Sequence, residues 1–215
     1  MLRKRIIFTL IYEDGYFCQS RNFFKQKVGD ANWLFKNYNF EKISDSFDEL
    51  IILNASSKKD HNSFLRDIQF LVENLSLPVC LGGGISSITD AELFFRNGAD
   101  KISLCTKLND ELLMQNLSKN YGAQSIVGYI DYKKNNDDYF PYINNGEEQV
   151  QMHLNEYMQK LNKEHIGELV LNSIELDGTG FGYDKKLLNY LDQEISLPII
   201  LSGGAGKAEH FEYAL

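Results

Sequence analysis

The stretch SLPVCLGGGI, residues 76–85, is written again as SLPIILSGGA at residues 196–205, an offset of 120 (196 − 76). Each copy is a short apolar run behind a proline that ends in glycines, the pattern of a buried strand followed by a tight turn. The duplication extends backwards. The same offset lays RIIFTLIY from Arg5 over SIVGYIDY from Ser125, and after a small slip DELIILN (Asp48–Asn54) lies over GELVLN (Gly167–Asn172). Strands one, two and three thus answer strands five, six and seven.

Between these runs the period changes from two to 3.6. Strands are expected at Arg5–Ile11, Glu49–Asn54, Pro78–Leu81, Lys101–Leu104, Ser125–Ile130, Glu168–Asn172 and Pro198–Leu201. Helices are expected around Ala31–Tyr38, Asn62–Asn74, Ala91–Asn97, Glu111–Asn120, Gln149–Lys163 and Lys185–Leu191. Phe64, Ile68 and Leu71 form an apolar stripe on the second of these helices, and Gly98 stands where a helix C-cap glycine belongs. Strands buried on both faces and alternating with helices imply parallel pairing through right-handed crossovers. An open dinucleotide-binding sheet would need GxGxxG after its first strand, which is absent. The expected fold class is therefore α/β, a (β/α)8 TIM barrel made of two half-barrels. Residues 1–215 are read as one domain, with half-barrels at about 1–120 and 121–215. Such a barrel takes about 250 residues, so the second half is expected to be incomplete, truncated before strand eight. A seven-stranded product would expose sheet edges.

A net charge of −8 and a pI near 5 disfavour a nucleic-acid surface or a polybasic membrane patch. The odd set Cys18, Cys80 and Cys105 lacks metal-type spacing and reads as reduced thiols of a cytoplasmic protein. The basic then apolar start, MLRKRIIFTLIYEDG, lacks a cleavage site and is read as a strand. His61, His153, His165 and His210 show no ligand spacing, so no metal or cofactor is expected.

CLGGGI, GADKIS, LDGTGFGYD (Leu176–Asp184) and LPIILSGGAGKAEHF together resemble the cyclase subunit of imidazole glycerol phosphate synthase, from Lys4 to Phe211. The resemblance implies a glutaminase partner at the N-terminal barrel face, whose ammonia passes through the barrel. It also implies a phosphorylated small molecule at the C-terminal face, converted by a cyclase (lyase) reaction of histidine biosynthesis. Glycine turns let backbone N–H groups approach phosphate. One phosphate site is expected from Gly82, Gly83, Gly84 and Thr106. The other is expected from Asn172, Asp177, Gly178, Thr179, Ser202, Gly203 and Gly204.

The family's ring closure is attributed to two aspartates, an acid and a base, at the ends of strands one and five. Asp131 occupies the second position, while its repeat counterpart (131 − 120) is Ile11, which cannot carry a proton. Neither neighbour is expected to replace it: Glu13 is assigned to the opposite strand face and Asp14 to the turn. Gln19 stands where the family's loop carries a lysine, with Arg21 nearby; Cys105 replaces a common asparagine and Asn54 a common aspartate. At the strand starts, Arg5, Glu49, Lys101 and Glu168 match the family's charged ammonia gate.

The resemblance implies three alternative functions. With Ile11 apolar, the chain resembles most the divergent cyclase-like proteins associated with surface-polysaccharide (lipopolysaccharide) biosynthesis, which implies passing ammonia to a separate sugar amidotransferase. The second is the cyclase itself, and the third a phosphosugar isomerase of the sister barrel family.

Overall fold

The computed structural model describes residues 4–161, 163–191 and 195–214. Eleven strands are present in the described chain: β1 (Ile7–Glu13), β2 (Tyr16–Arg21), β3 (Phe24–Gly29), β4 (Glu49–Asn54), β5 (Val79–Gly82), β6 (Lys101–Leu104), β7 (Ile126–Asn135), β8 (Asp138–Ile143), β9 (Glu148–Gln149), β10 (Glu168–Ser173) and β11 (Ile199–Ser202). The helices are α1 (Ala31–Asn37), α2 (Phe40–Ser46), α3 (His61–Asn74), α4 (Ile88–Arg96), α5 (Glu111–Tyr121), α6 (Leu154–Lys160), α7 (Lys185–Tyr190) and α8 (Ala208–Ala214). Two compact units result, one of residues 1–19 and 25–103, the other of residues 20–24 and 104–215.

In the first unit β1 runs parallel to β4, in register from Ile7↔Glu49 to Tyr12↔Asn54. β4 continues to β5, and β5 to β6, also in parallel. β4 and β5 are almost wholly buried, as apolar runs covered on both faces must be. α3 starts where the Asp60 side chain accepts from the Ser63 N–H, and it buries Phe64, Leu65, Ile68 and Leu71. Each of these side chains contributes roughly 1.5–3 kcal/mol by leaving water. Gly98, at φ +93°, follows α4 as a C-cap glycine should.

The second unit repeats the plan. β7 pairs in parallel with β10, and β10 with β11. α5 is capped by Asp110 and ended by Gly122 at φ +82°. Both units therefore show the parallel βα order expected of the α/β class.

Three elements depart from the sequence reading. The loop after β1 is an antiparallel hairpin: β2 pairs back on β1, with β3 beyond it. The segment Asp137–Gln149 after β7, expected as a loop or small hairpin, is a hairpin, β8 on β7 and β9 on β8. That second ladder takes Gln149 into a strand, so the helix expected over Gln149–Lys163 shrinks to Leu154–Lys160, with a short 3-10 turn at Lys163–His165; residue 162 lies outside the described residues. α2 is a short helix begun by the Asn39 side chain on the Lys42 N–H.

Candidate functional site

The turn after β5 and the turn after β11 are built alike. Gly83 has φ +106° and Gly203 φ +87°. A Cβ on Gly83 would lie 2.2 Å from the Asn54 carbonyl oxygen, and one on Gly203 2.7 Å from that of Ser173. In each unit the chain leaves its strand through a left-handed turn pressed against the backbone ending the neighbouring strand, a place only glycine fits.

In the second unit the strand register puts Asp131, Asn172 and Ser202 side by side at the C-terminal ends of β7, β10 and β11. Asn172 Nδ2 donates to Asp131 Oδ1 at 2.8 Å. Burial raises the Asp131 carboxyl to about 7, against the Asn172 hydrogen bond and with a further push from the Asp177 charge. A carboxyl half-protonated near neutrality suits proton transfer in either direction. Tyr129, two residues back on the same strand face, hydrogen-bonds to Ser202, and burial holds its phenol well above the ordinary range. Burial and the Asp131 charge likewise keep the Cys105 thiol protonated, with Sγ 3.7 Å from the Tyr142 carbonyl oxygen, so it is no nucleophile.

Asp177 is occupied. Its carboxylate accepts from the Ser20 hydroxyl and, at 3.1 Å, from the Phe23 N–H; its carbonyl accepts from the Asn22 N–H at 2.9 Å. Residues 20–24, the hairpin tip, are thereby tied to the loop after β10 within the second unit. Thr179 turns its hydroxyl back on the Leu176 carbonyl at 2.7 Å, and Thr106 pairs with Asn144. Of the residues expected at the second phosphate site, all lie in this unit. Those expected at the first are divided, Gly82, Gly83 and Gly84 in the first unit and Thr106 in the second.

The first unit holds three of the four strand-start charges. Arg5 Nη1 and Lys101 Nζ both lie 2.8 Å from the same oxygen, Glu49 Oε2, and Glu49 is only 3 % exposed. Glu168 is buried at the start of β10 in the second unit. Ile11 lies in the ladder between Leu53 and Cys18. The expected placing of Glu13 is corrected: an unbroken ladder puts it two residues from Ile11 and so on the same face. There it forms an ion pair with Lys25. Asp14 sits in the turn at φ +48°, its N–H on Ser56 Oγ.

Sequence reasoning missed Lys25, Lys59 and Tyr129. The period-two spacing to Asp131 could have found Tyr129. The two lysines sit in segments read as loop, with no periodicity to aim them. No cluster of three or more His, Cys, Asp or Glu side chains able to hold a metal ion occurs among the described residues. No helix among them is long and apolar enough to cross a membrane.

Residues 5–215 match the family described as histidine biosynthesis protein. The chain is 44% identical over 212 residues, 98% of its length and 79% of the relative's, to a Parasynechococcus marenigrum protein provisionally named imidazole glycerol phosphate synthase subunit hisF2. It is 33% identical to imidazole glycerol phosphate synthase subunit HisF of Chlorobaculum parvum, covering 98% of this chain and 83% of that one. It is 35% identical to the Pyrobaculum aerophilum HisF over 188 residues, 86% of this chain and 73% of the relative. With its paired glycine turns, its duplicated βα halves and a match from residue 5 to residue 215, the chain belongs to the HisF family of (β/α)8 barrels.

Proposed function

We propose that this chain is the barrel subunit of a glutamine amidotransferase complex, and that its main task is to pass ammonia from a glutaminase rather than to close an imidazole ring. The destination proposed is a separate amidotransferase acting on a surface-polysaccharide sugar. Ile11 carries the reading. A ring closure that moves two protons needs two groups, and the repeat counterpart of Asp131 is Ile11, which carries no proton; the nearby Glu13 is ion-paired with Lys25. The charges at the other strand ends, Arg5, Glu49, Lys101 and Glu168, support an ammonia gate that outlasts the chemistry. The two glycine turns are proposed as phosphate grips, with Asp131 the remaining acid–base group.

A second reading has its own support. Asp131 is poised near neutrality by burial and held by Asn172, which favours retained proton transfer, and the relatives above are named as subunits of imidazole glycerol phosphate synthase. One assay separates the two. Supplied with ammonium and the bisphosphorylated ribulosyl substrate, the protein is expected to form negligible imidazole glycerol phosphate; robust turnover overturns the conduit reading. Ile11→Asp is expected to raise any residual cyclase rate by about 10²-fold, the lower end of what one positioned acid or base supplies.

A further inference from the structure

The first glycine turn has a lysine packed against it. Lys59 follows β4, and its side-chain stem lies so close to Gly84 that a Cβ there would come within 2.6 Å of Lys59 Cγ. Its ammonium donates one hydrogen bond, to the Asn54 carbonyl oxygen at 2.9 Å. That is the same oxygen against which Gly83 is pressed. Lysine, turn and strand end thus meet at one point of the first unit. An ammonium has three donors, and among the described residues Lys59 forms no ion pair with a carboxylate.

Three further features surround this point. Asn54 is 2 % exposed, and its Oδ1 accepts from the Ser56 N–H at 3.1 Å, which fixes the orientation of the amide. Its Nδ2 is then a buried donor with no partner among the described residues. The N–H groups of Gly83 and Gly84 also meet no protein acceptor among those residues. Finally, Lys25 stands near Lys59, bonded to the Ala55 carbonyl at 2.9 Å and paired with Glu13. Burial and the Lys25 charge depress the Lys59 ammonium, with the Asp14 and Glu13 charges acting the other way. An ammonium with no ion pair among the described residues, beside a left-handed turn whose N–H groups meet no protein acceptor among them, suits an acceptor that carries negative charge.

We propose that Lys59, the Gly83–Gly84 turn and the Asn54 amide form an oxyanion site, and that Lys59 supplies its cation to a phosphomonoester. The proposal rests on the reading of the glycine turns as phosphate grips and adds to it the side chains that make the two grips unequal. Position 59 comes from the loop after β4, so the first grip is a cationic one. In the second unit the corresponding turn follows β11, where Gly203 and Gly204 lie against Ser173, Gly182 and Leu176.

The test uses the full chain, labelled with ¹⁵N and titrated with inorganic phosphate. The amide resonances of Gly83 and Gly84 report the first turn, and those of Gly203 and Gly204 serve as an internal reference. Lys59→Gln is expected to weaken phosphate at Gly83 and Gly84 by about tenfold, the scale of one charge-assisted hydrogen bond, and to leave Gly203 and Gly204 unchanged. Lys59→Arg should retain most of the affinity, and Lys58→Gln, which alters an exposed neighbour, all of it. Equal shifts at Gly83 and Gly84 in wild type and Lys59→Gln would make Lys59 a clasp on the Asn54 carbonyl only; that sinks the proposal and spares the phosphate reading. Silence at both turns in the wild type would remove the phosphate reading and the proposal together. The dispersed amide spectrum shows in the same experiment whether each variant is folded.

Discussion

Asp131 is the residue whose surroundings make the sharpest demand on solution behaviour. Its folded-state carboxyl is raised from 3.8 to about 7, so between those values the native state holds a proton that the unfolded chain has lost. Stability contributed at this site is therefore present below pH 4, falls as pH rises through 7, and is flat beyond. At about 1.4 kcal/mol per unit the full swing is on the order of 4 kcal/mol. Asp131→Asn removes the swing while keeping a hydrogen bond with Asn172. Its melting temperature, compared with wild type, is expected to be equal near pH 4 and higher by several degrees at pH 8. A constant difference across that range would mean that the carboxyl titrates as an exposed one. Asn172→Ala should move the window upward, because the opposing hydrogen bond is gone.

Among the elements, the hairpin of β2 and β3 is laddered to β1 along β2 and held again at its tip. Asn22 and Phe23 both sit in the left-handed region, at φ +51° and +66°, an unusual state for phenylalanine. Their N–H groups go to the Asp177 carbonyl and carboxylate. Asp177→Ala removes the carboxylate bonds of Ser20 and Phe23 and is expected to cost about 1–3 kcal/mol locally. Hydrogen exchange at residues 20–24 should quicken while that of β7 and β10 is unchanged; uniform quickening would indicate general unfolding instead. Gly178→Ala should act similarly, since its Cβ would fall within 1.8 Å of the Ser20 carbonyl oxygen. This element also marks a limit of sequence reading. Asp177 was visible as a candidate anion contact, but its partner Ser20 lies 157 positions away. Nothing in QSRNFF announces where the turn will dock. α2 escaped for a different reason: seven residues with a single capping asparagine carry too little periodicity.

For the whole molecule, what was legible in the sequence is what backbone physics makes obligatory. Gly83 and Gly203 could be recognised because a left-handed turn against a carbonyl excludes every side chain, and Asp131 because the repeat points to it. The seven parallel strands followed from apolar runs that only burial on two faces explains. Pairings between distant polar groups, such as Lys59 with Asn54 or Tyr129 with Ser202, needed the fold. At this scale the triad of Arg5 and Lys101 around the buried Glu49 invites a stability test. Glu49→Ala removes the carboxylate that Arg5 and Lys101 share and is expected to cost about 3–5 kcal/mol in urea unfolding. A cost below about 1 kcal/mol would show the triad to be solvated rather than built in.

The two cations on one Glu49 oxygen have a consequence for how this protein can change over generations. Replacing either Arg5 or Lys101 first leaves an ion pair intact, whereas replacing Glu49 first leaves none at that oxygen. The three positions are therefore epistatic, and mutational paths through them are ordered: a lineage abandoning the triad has to shed a cation before its acid. Descendants carrying Glu49 with a single cation should be common among divergent sequences, and those carrying both cations without it rare.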